Sequence, residues 1–178
     1  LLAVMCLYGG FLDLPIVFDD YYFFAKLNPD QYLDASNFSI TPRYLVYALH
    51  ALTVKYFGQI MMPLRIQGML WHAAVAIALF YFLKLIQKTL VNQSYESSSA
   101  VVPLVAAMVF ALHPAAVYAA AYLSQRTIVM ATFFSLLSWI CVLNGLKKNN
   151  QCWLWGSVAL YAMAVLCKEH AVMVPAVS

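Results

Sequence analysis

Two long apolar stretches, residues 61–83 and 127–145, are the feature that most constrains how this chain folds. Each is close to the roughly 20 residues that an α-helix needs to cross the hydrocarbon layer of a bilayer. The chain is 65% hydrophobic and only 10% charged, whereas soluble domains carry roughly 25% charged residues. Because a helix satisfies its backbone hydrogen bonds within its own segment, these values predict an all-α integral membrane protein.

Shorter apolar segments flank these two stretches. We interpret the following as whole or partial spans: residues 1–17, 100–112, 153–167 and 171–178. Residues 43–57 carry tyrosines and a lysine among apolar residues, which is typical of a helix at the membrane interface. The sequence therefore predicts a polytopic transmembrane bundle of about five to six spans, with an interfacial helix in the first external loop.

The chain begins without methionine and stops inside an apolar run. We interpret residues 1–178 as the N-terminal part of a longer transmembrane domain, with further spans outside this segment. The net charge of +3 is small, and no basic cluster is interleaved with aromatic residues as a nucleic-acid groove requires. Nucleic acid is therefore not an expected partner, and the bilayer is.

Polar residues at the predicted helix ends collect on one side of the membrane. Each span moves the chain to the opposite side, so alternate loops share a side. The side that follows the first span, called side A here, is expected to hold Asp19, Asp20, Arg43, His113, Arg126, Lys168, Glu169 and His170. Charges embedded at helix ends are costly unless they have a function or a partner. The alternation therefore predicts one site assembled from several helix ends.

The sequence indicates less directly which side of the membrane faces the cytoplasm. Side A carries more lysines and arginines than the opposite side B, and by the positive-inside rule alone it would be cytoplasmic. We nevertheless place side B in the cytoplasm, because its lysines lie in short loops at residues 84–88 and 147–148. The basic residues of side A include several at helix ends facing acidic residues.

Several motifs in order resemble one membrane-enzyme family. They are Asp19-Asp20, Asn28-Pro29, Pro42-Arg43-Tyr44, Gly68-Met69-Leu70-Trp71-His72, the segment from Ala111 to Tyr118 with His113-Pro114, Gln125-Arg126-Thr127, and the segment from Leu166 to Val172 with Lys168-Glu169-His170. This order is similar to that of the C-type (GT-C) glycosyltransferases that use polyprenyl-phosphate sugars. The resemblance is greatest to the transmembrane O-mannosyltransferases that carry tetratricopeptide repeats, and to their bacterial relatives.

The resemblance implies a transferase whose active site faces the extracytoplasmic side, in agreement with side A. It implies a polyprenyl-phosphate-linked sugar donor and a protein, glycan or lipid acceptor. It also implies an acidic catalytic residue in the first external loop, which corresponds to Asp19 or Asp20 here. The expected location is a multi-pass protein of the bacterial inner membrane rather than of the endoplasmic reticulum, and a soluble repeat domain follows the membrane part in some members.

The chemistry of such a transfer assigns expected roles to the side A residues. A carboxylate, Asp19 or Asp20, takes the proton of the acceptor hydroxyl. Cations stabilise the phosphate that leaves, and arginine meets phosphate oxygens in two places. The expected phosphate-binding residues are Arg126, Lys168 and Arg43. The residues expected to orient donor or acceptor are His113, Glu169 and His170.

Each of these residues also has a structural interpretation. Arg126 could extend toward the interface from its helix, and Lys168-Glu169 could be a local ion pair. His113 could bond a backbone group freed by Pro114. A divalent metal held by Asp19, Asp20 and a histidine is an alternative, but no ligand spacing requires it, and no cofactor is otherwise indicated.

Two other functions are compatible with the same sequence. A secondary transporter also places charges along a membrane substrate path, although these charges cluster at one face. A non-catalytic scaffold that anchors a soluble domain would tolerate neutral residues at the helix ends. The glycosyltransferase is the favoured hypothesis, and it depends mainly on the resemblance.

Overall fold

The computed structural model describes residues 2–13, 15–16, 19–21, 28–34, 42–90 and 100–177. The regular structure in these ranges is helical, as the sequence predicts, and no strand occurs among them. The α-helices are α1 (Leu2–Tyr8), α2 (Pro29–Leu33), α3 (Tyr44–Phe57), α4 (Met61–Leu90), α5 (Val101–Leu112), α6 (Val117–Ala121), α7 (Arg126–Lys148) and α8 (Gln151–Cys167). The 3-10 segments are Gly9–Phe11, Pro114–Ala116, Leu123–Gln125 and Glu169–Val177.

Fewer helices are long enough to cross a membrane than the five to six spans predicted. Two qualify by length and apolar composition, Met61–Thr89 and Leu123–Lys148. A third crossing exists if Val101–Leu112 and Pro114–Ala121, which are bent by 56°, form one span. Helix α8 is apolar but has 17 residues, which at 1.5 Å per residue fall short of a 30 Å hydrocarbon layer. The described part of the chain thus has two or three candidate spans.

The bend between α5 and α6 follows from His113-Pro114. A residue before proline avoids the helical conformation, and His113 is extended with φ −64° and ψ 131°. Its Nδ1 atom accepts the backbone N–H of Ala115 at 3.2 Å, which caps the 3-10 segment that begins at Pro114. The polar group freed by the break is therefore satisfied locally.

Helices α4 and α7 run parallel to each other. At their N-terminal ends the Arg126 guanidinium donates to the Leu64 carbonyl, and at their C-terminal ends Lys84 and Asn144 line one groove. Helix α8 runs antiparallel to α7: Gly145 near the end of α7 faces Leu154 near the start of α8, and Ser138 earlier in α7 donates to the carbonyl of Ser157 at 2.9 Å. The C-terminal end of α8 therefore returns to the end of the bundle where α4 and α7 begin.

Two glycines allow close helix contacts. A β-carbon at Gly68 of α4 would lie 2.5 Å from the carbonyl oxygen of Ala120 in α6. A β-carbon at Gly145 of α7 would lie 2.8 Å from the Leu154 side chain in α8. Small residues that let backbones approach are the usual means of packing helices in membranes, where lipid is as apolar as the side chains.

Helix α1 is fixed to the bent helix pair by Tyr8. The buried Tyr8 hydroxyl lies 3.2 Å from the Ala111 carbonyl oxygen and 2.8 Å from that of His113. The His72 ring contacts the Tyr8 ring edge-on, and its Nε2 atom lies 3.1 Å from the same Ala111 carbonyl. His72 is thus a buried packing residue between α1, α4 and α5.

Candidate functional site

Polar residues from four distant parts of the chain line one cavity at the end of the bundle where α4 and α7 begin. We call it the polar cavity, and its volume is about 380 Å³. Its lining includes Asp19, Arg43, Ser124, Gln125, Thr127 and Lys168. A volume of this size lies within the range typical of small-molecule sites. Three of the predicted side A residues, Asp19, Arg43 and Lys168, therefore share one space.

Asp19 is the acidic residue that faces this cavity. Its side chain is exposed, and its backbone N–H donates to the Tyr122 hydroxyl at 3.1 Å. That bond connects the first loop to the segment between α6 and α7. The carboxylate of Asp19 is thus held at the cavity by its backbone while its side chain remains accessible.

Asp20 has a different environment, although it is the next residue. It is 2% exposed, and its two oxygens accept the backbone N–H groups of Leu123 and Ser124, each at 3.0 Å. These donors belong to the 3-10 segment that precedes α7. A carboxylate in such a position satisfies backbone groups that have no partner inside the helix. Asp20 therefore anchors the first loop to the start of α7.

Two buried arginines, Arg65 and Arg126, balance the negative charge of Asp20. Burial raises the pKa of Asp20, whereas the backbone N–H groups of Leu123 and Ser124 and the charges of Arg65 and Arg126 act in the opposite direction. Arg65 donates to the carbonyls of Leu12 at 2.7 Å and Pro15 at 3.2 Å. Arg65 thus also binds backbone carbonyls in the irregular segment after α1, and Arg126 binds one near the start of α4.

Arg126, one of the expected phosphate-binding residues, does not line the polar cavity. It is 2% exposed and donates to the Leu64 carbonyl. Its position explains the difference: Arg126 is the first residue of α7 and points between α4 and α7 rather than out of the bundle. Arg65 was not among the predicted site residues, and its only sequence signal is that it is the one charged residue of the apolar stretch 61–83.

Arg43 and Lys168 supply the cations of the polar cavity, and Glu169 connects them. Glu169 accepts from Arg43 at 2.7 Å and lies 3.7 Å from the Lys168 ammonium. The Arg43 hydrogen bonds lower the pKa of Glu169 to about 2. The predicted local pair Lys168-Glu169 therefore exists, but the closer partner of Glu169 comes from α3. Glu169 itself is beside the cavity rather than in its lining.

The predicted orienting histidines are not part of the polar cavity. His113 caps the segment after α5, and it lines a separate, mainly apolar cavity together with His72. His170 is exposed at the end of α8 and does not line the polar cavity. Within the described ranges, no group of three or more His, Cys, Asp or Glu side chains is arranged to hold a metal ion.

His50 lies buried in α3, at 3% exposure, and belongs to the surroundings of the site. Burial lowers its pKa to about 4, and the nearby charge of Arg126 acts in the same direction. His50 is therefore neutral at physiological pH.

Comparisons of the chain with protein-family models, with curated proteins and with solved structures give no match. The functional conclusion therefore depends on the polar cavity and on the sequence motifs. Chemically, the polar cavity offers one accessible carboxylate that can accept a proton. It also offers a guanidinium and an ammonium that can bind an anion. It lies at one end of a bundle whose longest helices are apolar.

Proposed function

We propose that this protein is a glycosyltransferase that moves a sugar from a polyprenyl-phosphate donor to a protein, glycan or lipid acceptor. The observation that carries the proposal is that Asp19, Arg43 and Lys168 line one cavity although they are far apart in sequence. The motif order supplies the family hypothesis, that of the C-type glycosyltransferases. Residues 1–178 then belong to the N-terminal part of the catalytic membrane domain.

In this proposal Asp19 is the general base and Asp20 is not. The reaction forms a bond between the acceptor oxygen and the anomeric carbon and breaks the bond between that carbon and the phosphate oxygen. The proton of the acceptor hydroxyl passes to the Asp19 carboxylate, which is exposed at the cavity. Asp20 does not have this role in the proposal, because it is 2% exposed and does not line the polar cavity, so an acceptor hydroxyl there does not reach its oxygens.

The leaving group is a polyprenyl phosphate, and its charge requires cations. Arg43 and Lys168 line the polar cavity and are the candidates for this role. The Arg43 side chain is 38% exposed and Lys168 is 21% exposed, so both can reach a ligand. The ion pair with Glu169 holds Arg43 in place, and Glu169 orients it rather than contacting the donor. A transfer site at the bundle end suits a lipid donor whose tail stays in the bilayer.

The proposed location is the extracytoplasmic face of a membrane, most simply the bacterial inner membrane. Two or three helices of the described part could cross a membrane, and the five to six spans of the sequence prediction belong to this proposal. The placement of the polar cavity on the extracytoplasmic side rests on the family resemblance and on the side B lysines, which the sequence analysis assigned to short loops and which the structure places near the C-terminal ends of α4 and α7.

The test is a transfer assay on the full-length protein in nanodiscs. Radiolabelled polyprenyl-phosphate sugars are supplied together with a membrane extract of the host as acceptor. We expect Asp19→Asn to reduce label transfer by at least about 100-fold, as the loss of a general base does. Asp30→Asn is the matched control, because Asp30 is an exposed acid of the same loop that does not line the polar cavity.

Arg43→Gln and Lys168→Gln test the anion-binding part of the proposal. Each should reduce transfer while Lys55→Gln, which alters an exposed cation of α3 outside the cavity, should not. Equal transfer by the wild type and by Asp19→Asn would overturn the assignment of the base. Uptake of a solute into proteoliposomes without any label transfer would instead favour a transporter.

A further inference from the structure

A second cavity lies at the opposite end of the bundle, in a groove between α4 and α7. Its volume is about 680 Å³. We call it the lysine-rimmed groove, and the residues used below are Ile77, Tyr81, Lys84 and Lys88 of α4 and Leu137 and Asn144 of α7. Neither the motifs nor the proposed transfer reaction uses any of these residues.

The floor and walls of the groove are apolar and open to the surroundings of the bundle. Ile77 is 54% exposed and Tyr81 is 57% exposed. Both parent helices are the ones long and apolar enough to cross a membrane. A groove between two such helices is in contact with the acyl region of the bilayer, where an apolar chain is the natural neighbour of its walls.

The rim of the groove is basic at only one end. Lys84 and Lys88 are four residues apart, so they lie on one face of α4, one turn from each other. Both side chains are exposed, and neither has an acidic partner among the residues that the structure describes. The Lys84 ammonium also lies 5.9 Å from the centre of the Phe80 ring, one turn earlier on α4.

We propose that the lysine-rimmed groove binds an anionic phospholipid, with an acyl chain against Ile77 and Leu137 and the headgroup phosphate on Lys84 and Lys88. The charge pattern supports this occupant over others. Basic pockets between membrane helices at the cytoplasmic side are suited to anionic headgroups. A zwitterionic lipid gains less from two cations that have no acidic partner in the described ranges, and an apolar protein segment gains nothing from them.

With side B placed in the cytoplasm, as in the proposed function, the lipid would belong to the inner leaflet. The groove residues Lys84 and Asn144 lie near the C-terminal ends of α4 and α7, whereas the polar cavity lies where these helices begin. A lipid in the groove would contact both helices along their C-terminal halves. The binding of an anionic lipid in the groove does not depend on the proposed transfer reaction, whereas the assignment to the inner leaflet rests on the orientation given in the proposed function.

Native mass spectrometry of the full-length protein released from detergent tests the proposal. Phosphatidylglycerol and phosphatidylcholine with identical acyl chains are titrated separately. We expect the wild type to bind phosphatidylglycerol at least about 10-fold more tightly, and Lys84→Gln/Lys88→Gln to lose most of this preference. The matched control is Lys147→Gln/Lys148→Gln, which removes two exposed lysines at the same end of the bundle but outside the groove.

A second variant tests the acyl part separately. Ala74→Phe fills the groove from α4 while both rim lysines stay in place, because Ala74 also lines it. We expect this variant to bind both lipids more weakly than the wild type does. Equal loss of preference in the two lysine variants, or unchanged lipid binding in Ala74→Phe, would overturn the proposal. So would a crosslink showing that another protein segment covers the groove in the purified wild type.

Discussion

The Asp20 carboxylate accepts the backbone N–H of Leu123 at 3.0 Å, although the two residues are 103 positions apart in the chain. The adjacent Ser124 N–H binds the other carboxylate oxygen at the same distance. Because Asp20 is also buried beside two arginines, this contact joins the first loop to the start of α7. The same contact therefore also positions the adjacent residue, the accessible Asp19.

Asp20→Asn should destabilise the protein by about 3 kcal/mol or more, which is typical when one partner of a buried charge arrangement is removed. The amide would bring an N–H group toward a backbone N–H, and Arg65 and Arg126 would lose their counter-charge. The free energy of unfolding in detergent, measured by denaturant titration, checks this. Asp19→Asn is the control, and its stability should stay within about 0.5 kcal/mol of the wild type. Similar stability for both variants would contradict the anchoring role.

We expect the protein to lose stability on mild acidification because of His50. Its pKa is lowered from 6.5 to about 4 in the folded protein, so the unfolded chain binds more protons between these values. The contribution to stability is complete above pH 6.5 and is lost as the pH falls toward 4, by roughly 2 kcal/mol between pH 7 and 5. Unfolding curves at the two pH values measure this loss. His50→Gln should reduce the pH dependence, and the same pH dependence in this variant as in the wild type would contradict the assignment to His50.

Gly68→Ala should destabilise the bundle by about 1–3 kcal/mol, the usual cost of overpacking. The added β-carbon would lie 2.5 Å from the Ala120 carbonyl, and a backbone atom cannot move aside as a flexible side chain can. Gly156→Ala is the control, because nothing lies within 4 Å of a β-carbon there, and alanine is the better helix former. Thermal unfolding of the two variants measures the difference. Equal or higher stability of Gly68→Ala would show that α4 and α6 are not in close contact.

Glu169 should remain ionised well into the acidic range. Its pKa is lowered from 4.5 to about 2, chiefly by the hydrogen bonds from Arg43. The stabilising pair is therefore present above pH 4.5 and is lost as the pH falls through about 2. Carboxyl carbon chemical shifts followed by NMR during an acid titration measure this value. Arg43→Gln should return the midpoint toward 4.5, and a wild-type midpoint already near 4.5 would contradict the pairing.

The sequence was sufficient to group the helix-end charges but not to rank them. Alternation of the chain across the membrane predicts that Asp19, Arg43 and Lys168 share one end of the bundle, and all three line the polar cavity. Asp20 is buried and Asp19 is accessible because of where the backbone N–H groups of residues 123 and 124 point. Such a contact across more than a hundred residues leaves no local pattern.

The number of candidate spans was the weaker part of the sequence prediction. Apolar composition alone suggested a span in residues 1–17, but α1 ends at Tyr8 and a 3-10 turn begins at Gly9. The His113-Pro114 break was visible in the sequence, because proline rules predict it. Its 56° bend was not, since the angle depends on how α6 packs against α4 at Gly68.

The two hydrogen bonds to the Asp20 carboxylate also restrict how the polar cavity can open. One wall carries Asp19 and the start of α7, which are fastened together by buried hydrogen bonds. The facing wall is held by the solvent-accessible contact between Arg43 and Glu169. If a bulky ligand must pass, we expect the side of α3 and α8 to move, so that Arg43 and Lys168 shift while Asp19 stays in place.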